Sequence, residues 1–380
     1  MNKRIYLDNN ATTPLDPRVL EAMMPFFTDL YGNASSNHPF GKEINTQVNK
    51  ARETISDLLC AKPSEIVFTS GATEAINMAL KGVAEANNDK GRHIVTASTE
   101  HPAVLDTCKY LEQRGYEVTY MPVQSDGLLN LETVKQSIRP DTILVCVMMV
   151  NNETGVIQPI KQISEIAHAK DAIFMSDATQ AVGKMPVDVD ELGIDLMAFS
   201  GHKFYGPKGI GGLYIRNSGE NNVKVGALLH GGGHEKGFRS GTLNVPGIIG
   251  LGKAADIAQS EMEVDASKVG KLRDQIEGEL LKIDNTFLNG NSQKRLYNVT
   301  NICFQGNDAD AIMLGLKDVV ISNGSACSSA LLEPSHVLIS MGLDEEDAYS
   351  SLRFSLGKYS VSHEMEEVVY KLNQFVAITN

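Results

Sequence analysis

The chain has 380 residues, which is more than one hydrophobic core usually serves, so its length predicts two domains. Its 34 basic and 47 acidic side chains give a formal net charge of −13, which argues against nucleic acid or an anionic membrane as partner. The longest apolar run, 143–150, is too short to span a bilayer, and the N-terminus has no apolar stretch typical of a signal peptide. We therefore expect a soluble, cytoplasmic protein.

The five cysteines are scattered along the chain and form no CxxC pair. This pattern argues against a disulfide framework and against a metal site of the zinc type. Cys146 lies in an apolar run and is expected in the core. Cys327 lies in a very different segment, which is described below.

Seven apolar runs rich in β-branched residues lie between residues 65 and 216, with amphipathic stretches between most of them. Runs that are apolar on both faces indicate buried strands of a mostly parallel sheet. Alternating strands and helices predict a three-layer α/β/α domain with a mostly parallel seven-stranded sheet. The predicted strands are 65–70, 93–98, 117–123, 142–150, 172–178, 195–200 and 211–216, and the predicted helices are 43–60, 73–87, 102–114 and 160–170.

After about Gly250 the pattern changes to that of a smaller α+β domain. A long helical stretch covers 251–283, and helices are predicted near 308–316 and 362–377. The strand-like segment 5–10 precedes the first helix and is expected to pack with this second domain. The predicted organisation is a large domain of residues 16–250 and a small domain formed by 1–15 and 251–380.

Lys203 directly follows an apolar strand and precedes a glycine-rich turn. A lysine that is desolvated there can lose its proton, and the neutral amine can attack an aldehyde. The alternative is an ordinary surface lysine beyond a strand end. The neighbours of Lys203 favour a lysine that binds a cofactor.

Asp177 and Gln180 lie at the end of another apolar strand. A buried carboxylate needs a cationic partner, and a pyridinium nitrogen is such a partner. Gln180 can then donate to the phenolic oxygen of the ring. The alternative for Asp177 is a helix N-cap.

Polar residues also follow three other strand ends. The segment 69–75 can bind a phosphate through free backbone N–H groups and the Thr73 hydroxyl, although it also fits an ordinary capping turn. It is not a Walker A sequence, and no GxGxxG follows a strand, which argues against a nucleotide triphosphatase or a dinucleotide oxidoreductase. His101 can stack on a planar cofactor and move protons, or be an ordinary loop histidine. Asn152 can hold a ring oxygen or a substrate carboxylate.

Two further residues point to a substrate and a nucleophile. Arg353 lies in an apolar strand-like segment, where it needs an anion, either a substrate carboxylate or an internal acid. Cys327 lies among glycine, serine and alanine, so it is expected on an exposed loop, where a basic environment would make it a thiolate nucleophile. The alternative, an incidental surface thiol, is disfavoured because such thiols are easily oxidised.

These segments resemble the cysteine desulfurases, in the class V aminotransferase family of fold-type I pyridoxal-phosphate enzymes. The resemblance covers nearly the whole chain in consistent order, and the loop around Cys327 is similar to that of the group with a longer, mobile cysteine loop. The matching segments are YLDNNATTP, SGATEA, TEHPAVL, VNNETGV, DATQAVGK, SGHKFYGPKGIGG, HGGGHEKGFRSGT, GSACSS and LRFSLG. Asn323 and Ser328 depart from the usual residues of the loop motif, and we expect no effect on the chemistry.

The resemblance implies roles for the candidate site residues. Pyridoxal 5'-phosphate would be bound to Lys203 as a Schiff base, and the protein would be a homodimer with two shared sites. The implied contacts are Asp177 with the pyridine nitrogen, Gln180 with the phenolic oxygen, His101 stacked on the ring, Ala72, Thr73, Ser200 and His202 around the phosphate, Thr242 at the neighbouring subunit's phosphate, and Arg353 and Asn152 at the substrate carboxylate.

The reaction that the resemblance implies is the removal of sulfur from L-cysteine. Cys327 would attack the substrate sulfur, which leaves alanine and a persulfide on Cys327. The sulfur would pass to an iron–sulfur scaffold protein or another sulfur acceptor. The rival functions are an aminotransferase or lyase on the same fold, which has no use for this thiol, and a non-catalytic scaffold protein.

Overall fold

The structure is a computed structural model, and it describes residues 4–217, 222–324 and 334–379, with side chains described as far as Phe375. The predicted element types alternate along the chain as expected. The first part contains β1 (Ile5–Tyr6), α1 (Pro17–Met23), α2 (Pro25–Thr28), α3 (Pro39–Leu58), β2 (Ile66–Thr69), α4 (Ala72–Ala86), β3 (His93–Ala97), α5 (Pro102–Glu112), β4 (Glu117–Met121), α6 (Leu131–Ser137), β5 (Thr142–Cys146), α7 (Ile160–His168), β6 (Ile173–Asp177), β7 (Leu196–Ser200) and β8 (Gly211–Ile215).

The second part begins with a long helix and continues with short strands and helices. It contains α8 (Val245–Leu280), β9 (Thr286–Leu288), β10 (Val299–Phe304), α9 (Ala309–Gly315), β11 (Val319–Val320), α10 (His336–Ser340), α11 (Glu345–Tyr349), β12 (Ser351–Ser355) and α12 (Ser362–Thr379). Local sequence fixes several helix starts, because proline occupies the first helical position of α1, α3 and α5, where its missing N–H costs nothing.

The seven predicted strands form one sheet in the order β2-β8-β7-β6-β5-β3-β4. The five strands from β7 to β4 are parallel, and β8 is antiparallel to both of its neighbours. All five residues of β3, β5, β7 and β8 are buried, as expected of a sheet that is covered on both faces. The predicted mostly parallel sheet of seven strands is therefore confirmed.

The small sheets lie in the second part of the chain and include the N-terminus. β10 is the middle strand of an antiparallel sheet with β9 and β12, and β1 pairs in parallel with β11. Ile5 and Leu7 pack in the same apolar cluster as Leu352 and Phe354. The N-terminal segment therefore packs with the strands of the second part, and the division into domains of residues 16–250 and of 1–15 with 251–380 stays a prediction.

One strand end and three short helices of the large domain differ from the predicted elements. The predicted strand 142–150 ends at Cys146, although the backbone of Val147 and Met149 still donates hydrogen bonds to Met175 and Asp177. The helices α1, α2 and α6 were not predicted, because four to seven residues show little periodicity. Within the described residues, no helix is long and apolar enough to cross a membrane.

A buried carboxylate joins the start of α1 to the segment after β12. Asp16 caps α1, and its Oδ2 accepts from Lys358 Nζ at 2.5 Å and from Arg18 Nη2 at 2.8 Å. The side chains of Asp16 and Lys358 are only 2% and 7% exposed. Hydrogen bonds from Arg18 and Lys358 hold the pKa of this carboxyl well below its usual range. The ion pair therefore connects the start of α1 to the segment that follows β12.

We expect Asp16→Ala to lower the free energy of unfolding by about 3 kcal/mol, the lower end for breaking a buried ion pair, because it removes the nearer carboxylate of Lys358 and leaves Glu261 Oε2 at 3.6 Å. The matched control is Asp106→Ala, which removes an exposed pair with Lys109 whose side chains are 71% and 66% exposed. The control should change stability by less than about 0.5 kcal/mol. Urea denaturation of both variants measures the difference, and equal losses would contradict the importance of the buried pair.

Candidate active site

A cavity of about 360 Å³ opens beside the carboxyl ends of β6 and β7, where ligands bind in sheets of this type. Most of the candidate residues, which lie far apart in the sequence, line this one cavity. They are Ala72, Thr73, His101, Asn152, Asp177, Gln180, Ser200, His202, Lys203 and Arg353.

Lys203 reaches the cavity from the short turn after β7. Its Nζ donates to the backbone carbonyls of Asn10 and Ala11 at 2.8 and 2.7 Å. Both carbonyls belong to the N-terminal segment, which crosses the site from β1. The amine is therefore held at the cavity wall by two neutral acceptors, where it can meet an aldehyde.

Asp177 is the last residue of β6, and it is buried. Its Oδ1 accepts from the backbone N–H of Thr179 at 2.9 Å and from the Thr179 hydroxyl. These contacts fix the carboxylate, and among the described residues no hydrogen bond is made to Oδ2. The second oxygen is therefore available to a cationic group in the cavity.

The N-terminus of α4 forms one end of the cavity. Its N-cap is Gly71, so no side chain caps the first N–H groups of the helix. Gly71 has φ +153°, and a Cβ there would lie 3.5 Å from Ser200 Oγ. The missing side chain leaves room for an anion against the backbone N–H groups of Ala72 and Thr73.

Two neutral histidines line the cavity. His101 is the N-cap of α5, and its Nδ1 accepts from Ala103 N at 3.0 Å, so the neutral ring carries its proton on Nε2. Burial, partly offset by Asp177, lowers the pKa of His101. His202 lies 3.0 Å from Thr12 Oγ1 through its Nδ1, and burial with nearby lysines lowers its pKa to about 4.

Arg353 is 1% exposed and already has an internal anion. Its Nη2 donates to Asp8 Oδ1 at 2.6 Å, and its Nη1 donates to the Asn152 carbonyl at 3.1 Å. Nε is buried and has no hydrogen-bond partner among the described residues. The internal salt bridge considered from the sequence is therefore present, and a contact with a substrate carboxylate stays a prediction.

Asn10 is the main cavity residue that sequence reasoning missed. Its carbonyl accepts from Lys203 Nζ and from Gln180 Nε2, and its side chain donates to the Asn152 carbonyl at 3.0 Å. Gln180 Oε1 in turn accepts from Lys184 Nζ at 2.6 Å. The available signal was the pair of asparagines, Asn9 and Asn10, a few residues after β1.

Two candidate residues are not among those that line the cavity. Thr242 is exposed, in the segment that precedes α8. Cys327 lies outside the described residues. Their predicted roles stay predictions.

The chemistry of these groups fits pyridoxal phosphate. The uncapped N-terminus of α4 suits a phosphate, Asp177 Oδ2 suits a pyridinium nitrogen, and the Lys203 amine suits the aldehyde. The fold and the site therefore define a pyridoxal-phosphate enzyme.

Comparison with known proteins agrees with this class. The family model of aminotransferase class-V matches residues 5–368. The chain is 49% identical to the cysteine desulfurase IscS of Edwardsiella ictaluri, over 97% of this chain and 92% of that protein. A solved structure of a NifS-like protein has a TM-score of 0.92 and 38% identity, and covers 99% of this chain and 100% of its own.

A second solved structure, SspA in complex with cysteine, has a TM-score of 0.83 and 39% identity, and covers 94% of this chain and 100% of its own. The chain belongs to the class-V aminotransferase family, among the cysteine desulfurases. The predicted family, fold class and cofactor are therefore confirmed.

Glu100, directly before His101, is a buried carboxyl behind the cavity. Its Oε1 accepts from Met148 N at 2.7 Å, and its Oε2 has no hydrogen-bond partner among the described residues. Burial raises the pKa of Glu100 well above its usual value, and Asp177 raises it further. The protonated, neutral form is therefore favoured in the folded protein.

Because the pKa of Glu100 is raised in the folded state, the contribution of Glu100 to stability is fully present below the unfolded-state pKa of about 4.3 and is lost as the pH rises towards the folded-state pKa. Glu100→Gln removes this loss. The variant should therefore gain stability relative to the wild type as the pH rises above about 5, by at most about 1.4 kcal/mol per pH unit.

Urea denaturation at pH 5, 6, 7 and 8 measures this gain. Glu43→Gln, at an exposed position of α3, serves as the control and should follow the wild type. Parallel curves for all three proteins would show that Glu100 is ionised in the folded state.

Proposed function

We propose that this protein removes sulfur from L-cysteine, with Cys327 as sulfur acceptor and a second protein as the final recipient. The observation that supports it best is the meeting, in one cavity, of an amine, a fixed carboxylate and an uncapped helix N-terminus. These groups match the three reactive parts of pyridoxal phosphate. The cytoplasmic location stays a prediction from the sequence.

When bound, pyridoxal phosphate supplies an electron sink for negative charge at the substrate Cα. Lys203 would hold the cofactor through its aldehyde, and its amine would then be free to accept or return a proton at Nζ. Asp177 Oδ2 would hold the protonated ring nitrogen. His101 moves a proton at Nε2, because its Nδ1 is occupied by the Ala103 N–H.

The sulfur step needs no external oxidant or reductant. The Cys327 thiolate attacks the substrate sulfur, an S–S bond forms, and the substrate C–S bond breaks. The electron pair of that bond stays on the carbon fragment, which takes up protons and leaves as L-alanine. Cys327 keeps the sulfur as a persulfide for transfer to a thiol of an iron–sulfur scaffold protein or another sulfur acceptor.

The test is to incubate the holoenzyme with L-cysteine and a thiol reductant and to measure alanine and sulfide. Equal amounts are expected, because one sulfur leaves with each alanine. Cys327→Ala should keep the visible absorbance of the bound cofactor and lose turnover, at least about a hundredfold, because the nucleophile is gone.

Cys60→Ala, at an exposed cysteine away from the cavity, is the matched control and should keep full activity. Lys203→Ala should lose both the absorbance and the activity. A pyruvate or keto-acid product, or full activity of Cys327→Ala, would instead favour the hypothesis that the protein is an aminotransferase or a lyase.

The proposal includes a homodimer in which Thr242 completes the neighbouring subunit's phosphate site. Thr242 is exposed in its own subunit, so it is accessible to a partner. Large apolar side chains are also exposed around α1 and α2, as at a protein interface. They are Leu20, Met24, Phe27 and Tyr31, which are 47%, 50%, 58% and 72% exposed.

Mixed dimers test whether Thr242 acts across the interface. A dimer of one Lys203→Ala chain and one Thr242→Ala chain has one complete site if Thr242 serves the partner, and no complete site if it serves its own chain. We expect the mixed dimer to bind cofactor at one site with wild-type affinity, measured by titration of the apoprotein. Binding no tighter than in the Thr242→Ala homodimer would contradict the shared site.

A further inference from the structure

Lys184 is a buried lysine without an assigned part in the reaction. It follows β6 in the same run of turns that carries Gln180, and it is only 5% exposed. Its Nζ donates to Gln180 Oε1 at 2.6 Å and lies 3.4 Å from Asn10 Oδ1. In the part of the chain that the structure describes, no carboxylate forms an ion pair with it. Burying a lysine without an ion-pair partner costs stability, so its position calls for an explanation.

The surroundings of Lys184 favour a neutral amine. Burial lowers its pKa well below the usual value, and the charges of Lys203 and Arg353 lower it further. A neutral amine keeps two N–H donors, which is enough for both amide oxygens that it contacts.

The Gln180 amide can sit in two orientations that differ by half a turn. In the observed one, Nε2 donates to the Asn10 carbonyl at 2.9 Å and Oε1 accepts from Lys184. In the flipped orientation, Oε1 would face the Asn10 carbonyl oxygen and Nε2 would face Lys184 Nζ. The two observed hydrogen bonds would then be lost, and two oxygens would oppose each other. The second hydrogen of Nε2 remains for the cavity, which Gln180 lines.

We propose that Lys184 is a positioning residue that holds the Gln180 amide with one N–H facing the cofactor. The proposal rests on the proposed function, because the partner of that N–H is the phenolic oxygen of pyridoxal phosphate. That oxygen belongs to the conjugated system of the cofactor, so a weakened contact changes both its visible absorbance and its reactivity.

The first test is Lys184→Met in the holoenzyme, because methionine fills a similar volume without an N–H donor. We expect a shifted absorbance maximum of the bound cofactor and weaker cofactor binding by the apoprotein. The kcat for L-cysteine should fall about tenfold with little change in KM, because the lost contact acts on the ring and not on substrate binding. Lys282→Met, at an exposed lysine paired with Glu279, should match the wild type in all three measurements.

The decisive test is a double-mutant cycle with Gln180→Ala. If Lys184 acts through Gln180, adding Lys184→Met to Gln180→Ala changes the absorbance, the cofactor dissociation constant and kcat no further. Additive effects, or a Lys184→Met spectrum and affinity identical to the wild type, would overturn the proposal.

Lys184→Gln gives a second comparison, because its neutral amide keeps a donor on a shorter side chain. It should shift the absorbance less than Lys184→Met, and an equal shift would count against the hydrogen bond.

If Lys184→Met does not fold, the same double-mutant cycle is run with Lys184→Gln, and additive effects there overturn the proposal in the same way. The absorbance and binding measurements stand even if L-cysteine yields no alanine, an outcome that would overturn only the proposed function.

Discussion

The site depends on the hydrogen bonds of Asn10, a residue of the N-terminal segment that lies between the large sheet and the small sheets. Its backbone N–H donates to Ser355 Oγ at 3.0 Å, and its Oδ1 accepts from Asn298 at 3.1 Å. On the cavity side its carbonyl accepts from Lys203 and Gln180. A buried polar group without a partner is costly, so each of these contacts stabilises the position of Asn10. The N-terminal segment is therefore part of the cavity wall and is held there by residues of both parts of the chain.

The charges around the cavity are arranged to receive an anionic ligand. Arg353 has a carboxylate partner in Asp8, while the pKa values of Lys184 and His202 are lowered by burial and by neighbouring cations. Neutral side chains with N–H donors can bind anions without adding to the mutual repulsion of the cations. A phosphate at the N-terminus of α4 would supply negative charge to this cavity. A neutral Glu100 also avoids a second negative charge near Asp177, which is why Asp177 raises the pKa of Glu100.

Local patterns in the sequence predict the seven strands and seven of the cavity residues, whereas Ala72, Ser200 and His202 were expected only from the family resemblance. An apolar strand that ends in a polar residue predicts its own position at the ligand-binding edge, as Asp177 and Lys203 do. The pairing of Arg353 with Asp8 joins residues that are 345 positions apart, and no local pattern indicates it. Local sequence likewise does not indicate the surroundings of Lys184, because they are formed by residues from several segments. Long-range contacts decide which buried charges are paired and which are neutralised.

The segment that carries Cys327 is attached at both described ends to residues of the site. Before it, Ser322 and Arg353 exchange backbone hydrogen bonds of 3.3 and 2.6 Å. After it, Ser335 donates to Glu153 Oε2 at 2.5 Å, and His336 Nε2 donates to the Glu100 carbonyl at 3.0 Å. Arg353 therefore has two roles, because its backbone holds one end of this segment while its side chain lines the cavity. The backbone carbonyl of Glu100, the residue before His101, holds the other end. The segment that carries Cys327 thus begins and ends next to residues that build the cavity.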